Sequence, residues 1–160
     1  MLAAWIAKRR LRSVFDKVGE QGDAESAFAK ETDDWVYDIP LELSAGSTVK
    51  GKKAVIDWFQ RWYAQFPKRK LIVKNVAFTA WPLNPANIFM VEWTCEETDK
   101  KGKEFRYDGV TITEMKKGRA VRTTEYIACK GLPQLSSLLK PVGKALKGRP
   151  PSAKGHVGPL

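Results

Sequence analysis

From Leu2 to Val18 the apolar positions Leu2, Trp5, Ile6, Leu11, Val14, Phe15 and Val18 recur mostly at helical spacing, with basic residues between them. This pattern predicts an amphipathic first helix. Gly19-Glu20-Gln21-Gly22 ends it, and Asp23 is placed to cap a short second helix through about Lys30. Asp33–Pro40 then turns aromatic and β-branched, the signature of a strand, and a loop rich in Ser, Gly and Thr continues to Lys50. Gly51-Lys52-Lys53 opens a third helix, in which Val55, Ile56, Trp58, Phe59, Trp62, Tyr63 and Phe66 return every three or four residues until Pro67 stops it.

After Pro67 the pattern changes period. Four β-rich runs follow: Lys70–Ala80, Asn87–Thr98, Lys103–Lys116 and Arg119–Cys129. Turn residues fall between them, at Pro82-Leu83-Asn84-Pro85, Asp99-Lys100-Lys101-Gly102 and Lys117-Gly118. Helices followed by an antiparallel meander make an α+β domain.

Length and charge refine this picture. A chain of 160 residues can bury roughly 70% of its unfolded surface in one core, so neither a disulfide staple nor a structural metal is needed. The net charge of +10 is concentrated at the ends: residues 1–20 hold five Lys/Arg against two Asp/Glu, and residues 131–160 hold five against none. The body is close to neutral, which argues against a basic nucleic-acid groove. One domain over residues 1–131 is expected, followed by a basic extension, 132–160, that is rich in Pro, Gly and Lys and lacks periodicity.

Cys95 and Cys129 lie in strand-like runs without CxxC spacing and read as buried thiols. No stretch reaches the roughly 18 apolar residues of a membrane span. The basic cluster Lys8-Arg9-Arg10-Leu11-Arg12 follows the apolar residues instead of preceding them, unlike a signal peptide, so a cytoplasmic location is the default expectation.

The Gly22-Asp23 turn, Thr32-Asp33-Asp34-Trp35-Val36-Tyr37, Val49-Lys50-Gly51-Lys52-Lys53-Ala54-Val55, and the Lys117–Val121 hairpin leading to Thr124-Glu125-Tyr126 follow one another at particular spacings. In that order and spacing the chain resembles the SnoaL-like branch of the nuclear transport factor 2-like superfamily over about residues 8–130. The resemblance implies a cone of helices packed on a curled, mainly antiparallel sheet, with a pocket at the open end and dimerisation through the outer face of the sheet. Phe89, Val91, Trp93, Phe105 and Tyr107 are expected on that outer face. Superfamily members include ketosteroid isomerase, scytalone dehydratase, limonene epoxide hydrolase, polyketide cyclases and non-catalytic modules, so fold alone does not settle function.

Each chemistry can be tested by residue. The steroid isomerase mechanism needs an aspartate base, a tyrosine and a protonated aspartic acid. Here the corresponding positions carry Ile39, Phe15 and Val110. The Arg-x-Asp pair of the epoxide hydrolases falls near Glu92 and Thr94, although Glu125 stands where they carry an acid. Dehydratase chemistry relies on pocket histidines, and the single histidine, His156, lies in the tail. No Gly-rich phosphate loop, nucleophile elbow or Cys/His pair is present, so any chemistry is expected to need no cofactor and no metal.

A two-residue turn at Lys117-Gly118 pairs Lys116 with Arg119, Val110 with Glu125 and Asp108 with Ile127. Val110, Asp108, Glu125 and Ile127 would then share one face, with Asp108 and Glu125 diagonal neighbours roughly 7–8 Å apart. Two carboxyls in an apolar cone could act as general acid and base, with Tyr37 donating to a developing oxyanion. The alternative leaves both acids structural, with Asp108 paired to Arg106 or Lys103 and Glu125 accepting from Tyr37 or a tryptophan.

Trp35 and Tyr37 share the face of Ile39, which the resemblance points inward. With Trp62, Val110 and Ile127 they are the expected ligand-lining residues, suited to a flat or ring-bearing apolar ligand. The expected function is binding of a polyketide-, terpenoid- or steroid-like molecule, with cofactor-free isomerase, cyclase or hydrolase chemistry as its extension. A non-catalytic module whose basic ends contact a membrane or an acidic partner is the alternative.

Overall fold

Residues 2–39 and 47–128 of the computed structural model are described; the expectations for Cys129 and for the extension 132–160 lie outside them. The described residues form three α-helices and six strands: α1 Leu2–Asp16, α2 Ala24–Ala27, β1 Val36–Ile39, β2 Ser47–Lys50, α3 Lys52–Gln65, β3 Lys68–Phe78, β4 Ile88–Thr98, β5 Glu104–Lys116 and β6 Arg119–Ala128. The predicted strands and turns fall within a few residues of these bounds. Two local features differ from expectation. The Gly19–Gln21 stretch does not stop the first helix but continues it as one π-helical turn, Lys17–Gln21. The end of the Ser/Gly/Thr loop is also a strand, β2, paired antiparallel with β1.

The sheet order is β2-β1-β6-β5-β4-β3. The meander β3–β6 is antiparallel, and β1 joins β6 in parallel, placing Tyr37 opposite Thr123. This parallel join brings the first strand against the last, so residues 88 apart in sequence meet in the site.

Alternation along the strands sorts the two faces. The inner face of β4 carries Val91, Trp93 and Cys95, all buried, and that of β5 carries Tyr107, Thr111 and Thr113. These pack against Phe15 and Val18 from the α1 side and Val55, Trp58, Phe59 and Trp62 from α3. Burial of a side chain such as Ile39, Val55 or Val91 contributes about 1.5–3 kcal/mol. The π-turn approaches β3 so closely that a Cβ on Gly19 would lie 2.9 Å from the Leu71 amide nitrogen. Only glycine permits this contact. Asp23 caps α2 by accepting from the Ser26 amide at 3.0 Å.

The face assignment corrects the expected dimer surface. Val91, Trp93 and Tyr107 are buried in the core, and Phe89 and Phe105 pack against it. Alternation leaves Ile88, Met90 and Tyr126 as exposed apolar groups on the opposite face. The basic cluster Lys8, Arg9, Arg10 and Arg12 is exposed along α1, and no helix among the described residues is long and apolar enough to cross a membrane.

Candidate functional site

A cavity of about 600 Å³ lies between the helices and the inner face of the sheet. α1 contributes Leu11, Val14 and Phe15, α3 contributes Trp58, Phe59 and Trp62, and the sheet contributes Tyr37, Leu71, Phe89, Trp93, Tyr107 and Ile127, with Trp35 just ahead of β1. The spacing of Trp58, Phe59 and Trp62 on α3 places all three rings on the core side. Trp58 and Phe59 meet Tyr37, with ring centroids 5.9 Å and 5.6 Å from its ring.

Arg10, Lys17, Lys30 and Glu31 also line the cavity, and on its sheet side the polar groups are joined by hydrogen bonds. Glu125 projects from β6 into the cavity lining, accepting from the Tyr37 hydroxyl on one carboxylate oxygen and from the Thr111 hydroxyl at 3.2 Å on the other. Burial pushes the Glu125 carboxyl above its ordinary value, and the two donors only partly offset this. Tyr37 is raised well above the usual phenol range by burial and by its acidic neighbour. The Trp93 indole N–H donates to Thr111 at 2.8 Å, and the Trp35 indole N–H donates to Thr123 at 3.1 Å. The Thr113 and Thr123 hydroxyls meet at 3.2 Å.

The expected pairing of Asp108 and Glu125 is overturned by a β-bulge. Lys116 does pair with Arg119 and Met115 with Ala120, but Glu114 pairs with Arg122, leaving Val121 unpaired. The extra residue slips the register by one, which exchanges the faces of everything beyond it. Glu125 therefore stands opposite Thr111, and Val110 opposite Tyr126. Asp108 and Val110 lie on the other face of the sheet and do not line the cavity. There Asp108 accepts from Lys74 at 2.7 Å and Thr94 at 2.6 Å, contacts that hold its carboxyl below the usual range. A second bulge, between Val73 and Asn75, lets Lys74 make this contact. Arg106 pairs with Glu96 on the same outer side.

The remaining expected residues, Trp35, Tyr37, Trp62, Glu125 and Ile127, all line the cavity. The Tyr37 hydroxyl is committed to Glu125, so it is not free to serve an oxyanion as expected. One acid escaped notice. Glu97, next to the acidic hairpin residues Glu96 and Asp99, is 4% exposed and accepts from the Trp62 indole N–H at 2.8 Å and from the Cys95 thiol at 3.8 Å. Burial raises its carboxyl, and the Trp62 and Tyr107 contacts pull it back down. The same surroundings raise the Cys95 thiol, chiefly through burial, so it stays protonated and unreactive at neutral pH. A period of two from Val91 through Trp93 and Cys95 to Glu97 was the available signal. Among the described residues no group of three or more His, Cys, Asp or Glu side chains comes together.

Gly109 shapes the cavity floor. A Cβ there would lie 2.3 Å from the Trp93 ring, so the bare backbone of β5 is what allows the indole to lie across it and reach Thr111.

Comparison with known proteins supports this architecture. The model of the SnoaL-like domain family matches residues 11–123. Similar solved structures include a candidate SnoaL-like polyketide cyclase from Jannaschia sp. CCS1, with a TM-score of 0.61 and 14% identity over 90% of this chain and 93% of that one. A nuclear transport factor 2-like protein of unknown function from Burkholderia pseudomallei superposes with a TM-score of 0.63 and 15% identity, over 84% of this chain and 95% of that one. A phenazine biosynthesis-related protein from Pseudomonas aeruginosa gives a TM-score of 0.58 and 18% identity, over 98% of this chain and 97% of that one. No curated protein matches the sequence. With the family model spanning most of the chain and the fold shared with these structures, the protein belongs to the SnoaL-like domain family.

Proposed function

We propose that this protein binds a small, apolar, ring-bearing molecule of polyketide, terpenoid or steroid type in the cavity, and that Glu125 exchanges a proton with it. The observation that carries this reading is the Glu125 carboxyl, lining an aromatic cavity of about 600 Å³ with Tyr37 and Thr111 as its donors. The volume suits a ligand of several rings, and rings suit walls built from indoles and phenols.

Both Glu125 oxygens act as acceptors, which favours a resting carboxylate and therefore a base. Burial makes that carboxylate more eager for a proton than one in water. Removal of a proton from a carbon beside a carbonyl, and its return to another position, is a balanced isomerisation or cyclisation that consumes no oxidant.

The test is a thermal-shift screen of the full chain against steroids, terpenoids, aromatic polyketides and fatty acids, with Glu125→Gln alongside. A ligand at about 100 times its dissociation constant stabilises by roughly 2.7 kcal/mol, enough to move the midpoint by several degrees. The expected result is a shift with ring compounds that changes in the variant. No shift across the ring compounds would refute the proposal.

A further inference from the structure

One end of the cavity is cationic. Arg10, Ser13, Val14 and Lys17 all line it, and their spacing puts them on one stripe of α1 and the π-helical turn that continues it. Lys17 Nζ donates to the Ser26 hydroxyl of α2 at 2.7 Å. That contact holds the ammonium beside the segment leading from α2 to Lys30, which lines the cavity as well. Arg10 and Lys30 are solvent-exposed while lining the cavity, so they stand at its rim. Among the described residues none of these three cations pairs with a carboxylate, whereas Lys52, Lys53, Lys74, Arg106 and Arg122 do. Glu31 is the acid at this end, and it already accepts from the Ala120 amide at 2.6 Å.

The cationic end lies far from Glu125. Arg119 donates to the backbone carbonyls of Lys30 and Glu31, each at 2.8 Å, which ties this segment to the start of β6. Glu125 comes six positions after Arg119 on the same strand. At about 3.3 Å per residue, and allowing for the bulge at Val121, the two ends are separated by roughly 15 Å or more. The wall between them is aromatic: Phe28, just before Lys30, packs on Trp35 and Phe59 with ring centroids 4.9 Å and 5.1 Å apart.

We propose that the ligand of this cavity carries a carboxylate, received at the rim by Arg10, Lys17 and Lys30, with its rings directed inward. The inference rests on the reading that the cavity holds a ring-bearing ligand, and it narrows that ligand to a ring acid bound in one orientation. The Arg10 guanidinium presents a planar fork that matches a carboxylate, and the two ammonium groups add point charges beside it. The reverse orientation sets the ligand's carboxylate against Glu125, two like charges in a buried site, so the charge at the rim also fixes which end enters first.

The experiment is calorimetric titration of the full chain at pH 7 and low ionic strength with 2-naphthoate and with 2-naphthamide, its uncharged counterpart of nearly the same shape. Exposed ion pairs contribute only a few-fold each, so three together make the acid the tighter ligand by about tenfold. In Arg10→Gln/Lys17→Gln/Lys30→Gln the amide still binds and the preference for the acid disappears. A control variant, Lys8→Gln/Arg9→Gln/Arg12→Gln, removes the same charge from exposed positions of α1 that do not line the cavity, and it keeps the preference. The amide binding the wild type as tightly as the acid overturns the inference and leaves the cavity reading standing. A preference that survives in the rim variant, or that falls equally in the control, does the same. Failure of both compounds to bind overturns the two together.

Discussion

The Tyr37 hydroxyl donates to the Glu125 carboxylate across the parallel junction of β1 and β6. This places Glu125 under the control of a residue 88 positions earlier in the chain. Hydrogen bonds to charged groups are worth about 1.5–3 kcal/mol, so Tyr37→Phe should lower unfolding stability by that amount near pH 7. The loss should shrink near pH 4.5, because Tyr37 acts by favouring the charged form of Glu125. Urea denaturation at the two pH values checks this.

Glu125 also predicts a pH signature of its own. Its carboxyl is raised in the folded protein, chiefly by burial, so the folded state holds the proton longer than the unfolded chain does. Stability from this group is therefore greatest at low pH and is lost as pH rises from the ordinary carboxylate value through the folded one. Glu125→Gln lacks this loss. Its stability relative to the wild type should increase with pH over that window, and parallel curves would contradict the assignment. Glu31 and Glu97, also raised by burial, are common to both proteins and cancel in the difference.

Gly109→Ala should destabilise by about 1–3 kcal/mol, the usual cost of forcing a group into a packed core. The added methyl cannot coexist with the Trp93 ring at 2.3 Å, so the indole must leave its place over β5 and its bond to Thr111. A changed near-ultraviolet circular dichroism spectrum should accompany the loss, with the far-ultraviolet spectrum preserved.

Trp62→Phe should cost about 1.5–3 kcal/mol by stripping the buried Glu97 of its indole donor. Combining it with Glu97→Gln should cost less than the two single losses added, because the orphaned charge is then gone. Additive losses in chemical denaturation would show that the two side chains do not act as a pair.

How far the fold could be read from the sequence depended on the length of each pattern. α1, α3 and β3–β6 sustain their periods over ten or more residues, and these elements emerged close to their observed bounds. β2 has only the four residues Ser-Thr-Val-Lys at the end of a turn-rich stretch, and only its pairing with β1 makes it a strand. The site was less legible. Tyr37, Trp35, Glu125 and Ile127 could be placed inward by alternation and Trp62 by helical spacing, whereas Asp108 and Val110 were misplaced by a single extra residue at Val121. No turn rule signals that bulge, because its cause is tertiary: Ala120 is buried at one end of β6 while Thr123 and Glu125 must also face inward. Glu97 was obscured by its acidic neighbours Glu96 and Asp99, and its indole partner lies 35 residues away on α3.

The most direct test of the central claim is proton exchange at carbon. A ring ketone that binds the protein is incubated in D₂O with the wild type, Glu125→Gln or Asp108→Asn, and deuterium entering beside its carbonyl is followed by NMR. Proton transfer by a positioned side chain contributes roughly 10²–10⁴-fold, so the wild type should accelerate exchange and Glu125→Gln should lose at least about 100-fold of that rate. Asp108→Asn, on the opposite face of the sheet, should leave it unchanged. Equal exchange with wild type and Glu125→Gln, or a loss confined to Asp108→Asn, would contradict the account.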